Sequence, residues 1–221
     1  MAIEVFWGSG SGPAWRVLLA LAIKGVPYES RLLSFGKREH KAPEILAMTT
    51  RGKVPVLRDG SYALFESLAI LTYLDRKHPE TPLFGATPED AGTIMRVIME
   101  HECYGAPAFS AVTRPILYGK LEEQRESVIE ALPTFREELG RLEAQLEGRS
   151  WFVGDAVSAA DIFVFPTIKM IERMLAKPSA ETLDHGVLPL SGAFPKLAAW
   201  VARIEALPGY DATYPPHWRE G

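Results

Sequence analysis

The stretch Arg51–Leu74, RGKVPVLRDGSYALFESLAILTYL, constrains the fold more than any other segment. Val54-Pro55 enters a strand at its first residue, where proline's missing N–H removes no ladder bond. Asp59-Gly60 between short apolar runs is a strong hairpin signal. Glu66-Ser67 then opens an apolar helix that runs from Ser67 to about Lys77. A cis bond at Pro55 turns the preceding backbone outward, so that Val54 offers its N–H and C=O to a ligand rather than to a strand. Glu66-Ser67 presents a carboxylate, a hydroxyl and free helix N-terminal amides, a receptor for a molecule with both an amine and a carboxylate. The two features together predict a site for an extended peptide, gripped by its backbone at one end and by an amino-acid head group at the other.

Upstream, Ile3–Trp7 is β-branched and aromatic and ends in a glycine-rich loop, Gly8–Gly12. Pro13 suits the first turn of a helix, and Lys24-Gly25 stops it. Tyr28–Leu33 is a second strand, and strand, helix and strand over thirty residues make a βαβ unit with parallel strands. A short helix is predicted over Pro43–Met48, then strands around Val56–Leu57 and Tyr62–Phe65. Pro79–Pro88 is a turn-rich linker, after which no convincing strand remains. A capped helix starts at Thr87-Pro88-Glu89-Asp90, with Pro107 and Pro115 expected to interrupt or end it. A second long helix covers roughly Glu122–Leu146, with Pro133 predicting a kink or a start. Ser158-Ala159-Ala160-Asp161 is a capping-box variant, and its helix is apolar on most sides. A last helix spans about Phe194–Leu207, ended by Pro208-Gly209. The fold class is α/β plus all-α: a small α/β unit over residues 1–80, a linker, and an all-helical domain over 88–221.

Of the 221 residues 47% are hydrophobic, ample for a sizeable core. The net charge of −4 gives no electrostatic case for nucleic acid, and no Lys/Arg run suggests a membrane surface. The N-terminus lacks the order of a signal peptide, and no apolar run approaches the roughly 18 residues of a membrane span. The one cysteine, Cys103, excludes an internal disulfide framework. A soluble cytoplasmic protein is the expectation. The five histidines show no ligand spacing, so no metal is expected.

The residues singled out so far also carry a resemblance. FWGSGSGPAWRVLLAL, EHKAPEIL, GKVPVL, LFESLAILTYL and WFVGDAVSAADIFVFP occur in order along nearly the whole chain, and in them it resembles the cytosolic glutathione transferases. The Phe6–Arg16 loop and the His40-Lys41 pair look most like the serine-type phi and theta classes. The resemblance implies a thioredoxin-like N-terminal domain before the helical one, glutathione as co-substrate, a homodimer, and a detoxifying transferase acting on a small hydrophobic electrophile. It implies that the tripeptide lies across the Val54 backbone with its γ-glutamyl end on Glu66 and Ser67. His40, Lys41 and Lys53 then pair with the glycyl carboxylate.

Such a site must stabilise a thiolate, since a free alkyl thiol near neutrality is mostly protonated. A hydroxyl at a helix N-terminus does so by hydrogen bond and dipole. Ser11 meets that description; it also serves as a cap, a compatible role, and Ser9 competes for the thiol. Trp7, Phe35, Met99 and Tyr104, with the tail Tyr214–Trp218, are candidates to line the electrophile pocket. Asp161 caps its own helix, and Cys103 is expected as a small buried hydrophobe. Its place in the helical half counts against thiol-dependent classes. The same scaffold could instead serve as a non-catalytic binding or assembly module, or run isomerase, peroxidase or dehalogenase chemistry on the same thiolate.

Overall fold

Ile3–Trp7 forms strand β1 in a computed structural model that describes residues 2–219. Helix α1, Gly12–Lys24, follows with Pro13 in its first turn. Gly25 ends it at φ 64°, a left-handed conformation that glycine adopts without a Cβ penalty. β2, Tyr28–Leu32, runs parallel to β1, as a βαβ unit requires. After a short helix α2, Pro43–Leu46, come β3, Val56–Asp59, and β4, Tyr62–Phe65. They form the expected antiparallel hairpin, and the sheet order is β2-β1-β3-β4. Helix α3 spans Ser67–Lys77. Val17, Leu18 and Leu21 of α1 and Ile70, Leu71 and Leu74 of α3 are all buried. A second cluster, Phe6, Ile45 and Val56, packs with Leu33, Met48 and Phe65.

The second half is helical: α4, Pro88–Glu100; α5, Ala106–Leu117; α6, Arg125–Gln145; α7, Ala159–Leu175; α8, Leu190–Ala193; and α9, Pro195–Glu205. Thr87 caps α4, accepting from Asp90 N–H at 3.1 Å. The prolines do not break these helices. Between α4 and α5 a π-helical turn, His101–Gly105, keeps the chain coiled. Pro107 follows this turn as the second residue of α5. α6 continues through Pro133, flanked by a buried stripe of Val128, Leu132, Phe135, Leu139 and Leu142. Burial of that stripe outweighs the ~3 kcal/mol by which an interior proline disfavours a helix. Among the described residues no helix is long and apolar enough to cross a membrane.

The chain forms two compact units, one reaching Phe84 and resuming from Glu205, the other Gly85–Ile204. The expected 88–221 helical domain therefore loses its tail to the first unit. The physical reason is Trp15 on α1. Its indole N–H donates to Thr213 Oγ1 at 2.9 Å, and its ring meets Tyr214 and Trp218 edge-on at 5.6 and 5.5 Å. The segment holding these groups comprises helix α10, Tyr210–Thr213, and a 3₁₀ turn, Pro216–Trp218.

Candidate active site

β1 delivers the chain into a turn closed by Ser11 N–H donating to Gly8 C=O at 3.1 Å. Gly10 sits third in this turn with φ 80°, where a side chain is disfavoured. A Cβ on Gly8 would lie 2.3 Å from Cζ of Phe35, so that ring covers the start of the loop. Ser11 is the N-cap of α1, and its Oγ accepts from Ala14 N–H at 3.4 Å. That is long for an N–H···O bond. The hydroxyl keeps its proton for another acceptor, at the positive end of a 13-residue helix.

The Val54-Pro55 bond is cis. Among the described residues neither backbone group of Val54 makes a hydrogen bond. Downstream, Glu66 is the N-cap of α3 at φ 71°, ψ 117°, unusual for a residue with a side chain. Glu66 is exposed and Ser67 buried, with Ser67 Oγ 3.5 Å from Arg16 Nη1. The buried Arg16 thus reaches from α1 to the start of α3. The first N–H groups of α3 have no intrahelical acceptor, so this corner offers amide donors and an exposed carboxylate together.

His40 lies in a 3₁₀ turn, Glu39–Lys41, with its ring edge-on to Phe35 at 5.3 Å. Its Nδ1 is buried without a hydrogen-bond partner, an unfavourable state that a ligand acceptor would relieve. Lys41 Nζ donates to Arg51 C=O at 3.0 Å, over Gly52, whose φ is 53°. Lys53 is exposed. The first unit thus carries Ser11, His40, Lys41, Lys53, Val54, Glu66 and Ser67 together.

Comparison with known proteins decides the family. The model for "Glutathione S-transferase, N-terminal domain" matches residues 9–82, and that for "Glutathione S-transferase, C-terminal domain" matches residues 94–208. The chain belongs to the glutathione S-transferase family. Glutathione S-transferase 1 of Schizosaccharomyces pombe is 31% identical, covering 97% of this chain and 96% of its own. Glutathione S-transferase A of Pleuronectes platessa is 28% identical over 99% of this chain and 93% of its own. The crystal structure of a glutathione S-transferase from the Antarctic clam Laternula elliptica superposes with a TM-score of 0.84 at 29% identity, covering all of this chain and 95% of that one.

Other expected residues of this transferase lie elsewhere. Trp7 is 8% exposed and its indole N–H donates to Ser30 Oγ at 2.7 Å, so the ring belongs to the core and has little surface left for a ligand. Phe35 is exposed in the first unit, Met99 and Tyr104 in the second. Tyr104 borders a cleft of about 530 Å³ that also touches Arg96, Glu100, Phe109, Glu138 and Arg141. Cys103, in the π-helical turn, is exposed rather than buried: it falls on the outer face of a turn whose His101 and Gly105 are buried. Among the described residues no group of three or more His, Cys, Asp or Glu could hold a metal ion.

One pairing escaped the sequence. Ser9 Oγ lies 2.5 Å from His217 Nδ1, 208 positions away. No motif or period could have announced it, since it depends on where the tail folds back.

Proposed function

We propose that this transferase binds glutathione on its first unit and activates the thiol as a thiolate for attack on hydrophobic electrophiles. The tripeptide is held extended: the γ-glutamyl amine by the Glu66 carboxylate and its carboxylate by Ser67 and the α3 amides. The cysteinyl unit pairs with the Val54 backbone, and the glycyl carboxylate meets His40, Lys41 and Lys53. The Ser11 hydroxyl donates to the sulfur. The thiolate then forms an S–C bond with the electrophile, whose leaving group departs with the bonding pair. Catalysis consists of lowering the thiol pKa and holding sulfur near carbon.

The observation that carries this reading is the α3 corner. There a non-glycine residue, Glu66, is held at φ 71° beside a buried serine and free helix amides. Strain of this kind costs about 1–3 kcal/mol and persists where a binding role retains it. The unpaired His40 Nδ1 and Val54 backbone support the other end of the peptide.

The test is an ultraviolet difference titration of bound glutathione. Ser11→Ala should raise its thiol pKa by about one unit or more, since a charge-assisted hydrogen bond contributes ~1.5–3 kcal/mol. Binding without any thiolate band would hand the lead to a non-catalytic binding module. A homodimer and a cytoplasmic place belong to the same reading. The family resemblance supports the first, and the free thiol of Cys103, suited to a reducing compartment, supports the second. A monomer in sedimentation at micromolar concentration would remove the dimer.

A further inference from the structure

We propose that Ser9 and His217 form a hydroxyl–imidazole relay that takes up the proton of the glutathione thiol. The relay rests on the reading that glutathione places its sulfur at the Gly8–Gly12 loop. Ser11 can donate a hydrogen bond to sulfur, but an alkyl hydroxyl is no base at neutral pH. The thiol proton still has to go to an acceptor. Imidazole is the side chain whose ordinary pKa lies near neutrality, and one stands on this loop.

The contact is built rather than casual. Ser9 Oγ and His217 Nδ1 are 2.5 Å apart. A Cβ on Gly10 would lie 2.7 Å from His217 Cε1 and 3.3 Å from Trp218 Nε1, so the absent side chain makes the room in which the tail sits. Trp218 is locked edge-on against Trp15 and Tyr214. Arg219 Nη2 holds Asp211 through both its carbonyl and its carboxylate at 2.7 Å. His217 is therefore carried by a tail anchored to α1, the helix that Ser11 caps.

The proton balance is simple. With Nδ1 unprotonated, Ser9 O–H points to the imidazole. As glutathione ionises, the S–H bond breaks and its proton joins Ser9 Oγ, while the former Ser9 proton forms the N–H bond at Nδ1. The result is a thiolate, a neutral Ser9 that now donates to it, and an imidazolium, with no change in net charge. When the thiolate is consumed the imidazolium returns its proton to water.

Several charged groups on the elements around His217 are already paired. On the tail, Asp211 is taken by Arg219, near Tyr210 and Tyr214. On α1, Lys24 is held by Asp75 and Arg16 is directed to Ser67. In the complex the thiolate favours the imidazolium.

The same ultraviolet titration decides the matter, with Ser9→Ala, His217→Ala and His217→Asn in the full-length protein. Asn keeps a hydrogen-bonding group at the Nδ1 position but cannot hold the proton. All three variants should raise the thiol pKa by about one unit, the effect of losing one opposite charge nearby. The Ser9→Ala/His217→Asn double variant should shift it no further than either single one. Glutathione affinity measured well below the wild-type thiol pKa should hold, since neither side chain grips the peptide. His217→Asn titrating like wild type overturns the relay and leaves the pair a structural clasp; so does a double variant whose shift is the sum of the singles. A wild-type thiolate band that none of the variants moves overturns the relay alone. A wild type that binds glutathione with no band overturns the relay and the reading beneath it.

Discussion

Glu66 shows how a single backbone conformation ties stability to binding. Its φ of 71° is natural for glycine and strained for glutamate. Glu66→Gly should relieve the strain and stabilise the fold by about 1 kcal/mol, within the range given for such strain. The same change deletes the carboxylate offered to the γ-glutamyl amine, so glutathione affinity should fall as the melting temperature rises. Paired calorimetric melts and glutathione titrations check both halves, and a variant that binds as tightly as wild type would remove Glu66 from the site. At this scale the sequence was partly legible. Ser11 as a helix cap was legible because a serine before Gly-Pro suits a helix N-terminus. Glu66-Ser67 as the start of α3 was legible because they precede an apolar helical run. The Ser9–His217 pair was not legible, because no local property of either residue specifies the other.

Among the elements, the carboxyls at the start of α7 and on β1 are shifted in opposite directions. Asp161 was expected as a cap worth about 1 kcal/mol. It is fully buried and accepts from Ser158 N–H and Oγ–H, Phe152 N–H and Trp200 Nε1–H, at 2.8–3.1 Å. Burial pushes its carboxyl up from the ordinary value, while these hydrogen bonds pull it down. Asp161→Ala would strand several buried donors at about 1–3 kcal/mol each, so a loss of at least ~3 kcal/mol in denaturant unfolding is expected. The sequence showed the capping box but not Trp200, which comes from a helix 39 residues away. On β1, Glu4 receives Arg58 of β3 at 2.5 Å and Arg31 of β2 at 3.0 Å, a carboxylate bridging three strands. Arg58 chiefly, and Arg31 less, hold its pKa below 4.5. The folded state thus binds the proton more weakly than the unfolded one. The stabilisation is present above the ordinary glutamate value near 4.5 and is lost as pH falls through the folded value. Glu4→Gln should therefore lower stability at pH 7 and flatten its decline in acid; an acid limb as steep as that of wild type would exclude Glu4 as a contributor.

At the scale of the molecule, the α/β-then-helical order was legible because proline and glycine concentrate in Pro79–Pro88 and strand patterns stop there. The return of the tail was not. Helical periodicity reports which face of a segment is buried, not which unit buries it. The sequence offered Tyr214 and Trp218 as candidates for the electrophile pocket; the structure packs them, with Tyr210, against Trp15. Trp15 is only 2% exposed, and Tyr210 and Trp218 are themselves buried. Removing residues 210–221 would strip these partners from α1 and leave Trp15 wet. At ~1.5–3 kcal/mol per large apolar side chain, the first unit should lose several kcal/mol, and tryptophan emission should shift to the red. The truncated chain also lacks His217, so its bound glutathione should show the raised thiol pKa expected of His217→Ala, plus whatever the loosened loop adds. The point variant separates the two effects. His217→Ala leaves Trp15 covered, so it should reproduce the thiol shift without the red-shifted emission. If truncation left emission and stability unchanged, the docked tail would be contributing nothing to the first unit, and the anchor on which His217 depends would be gone with it.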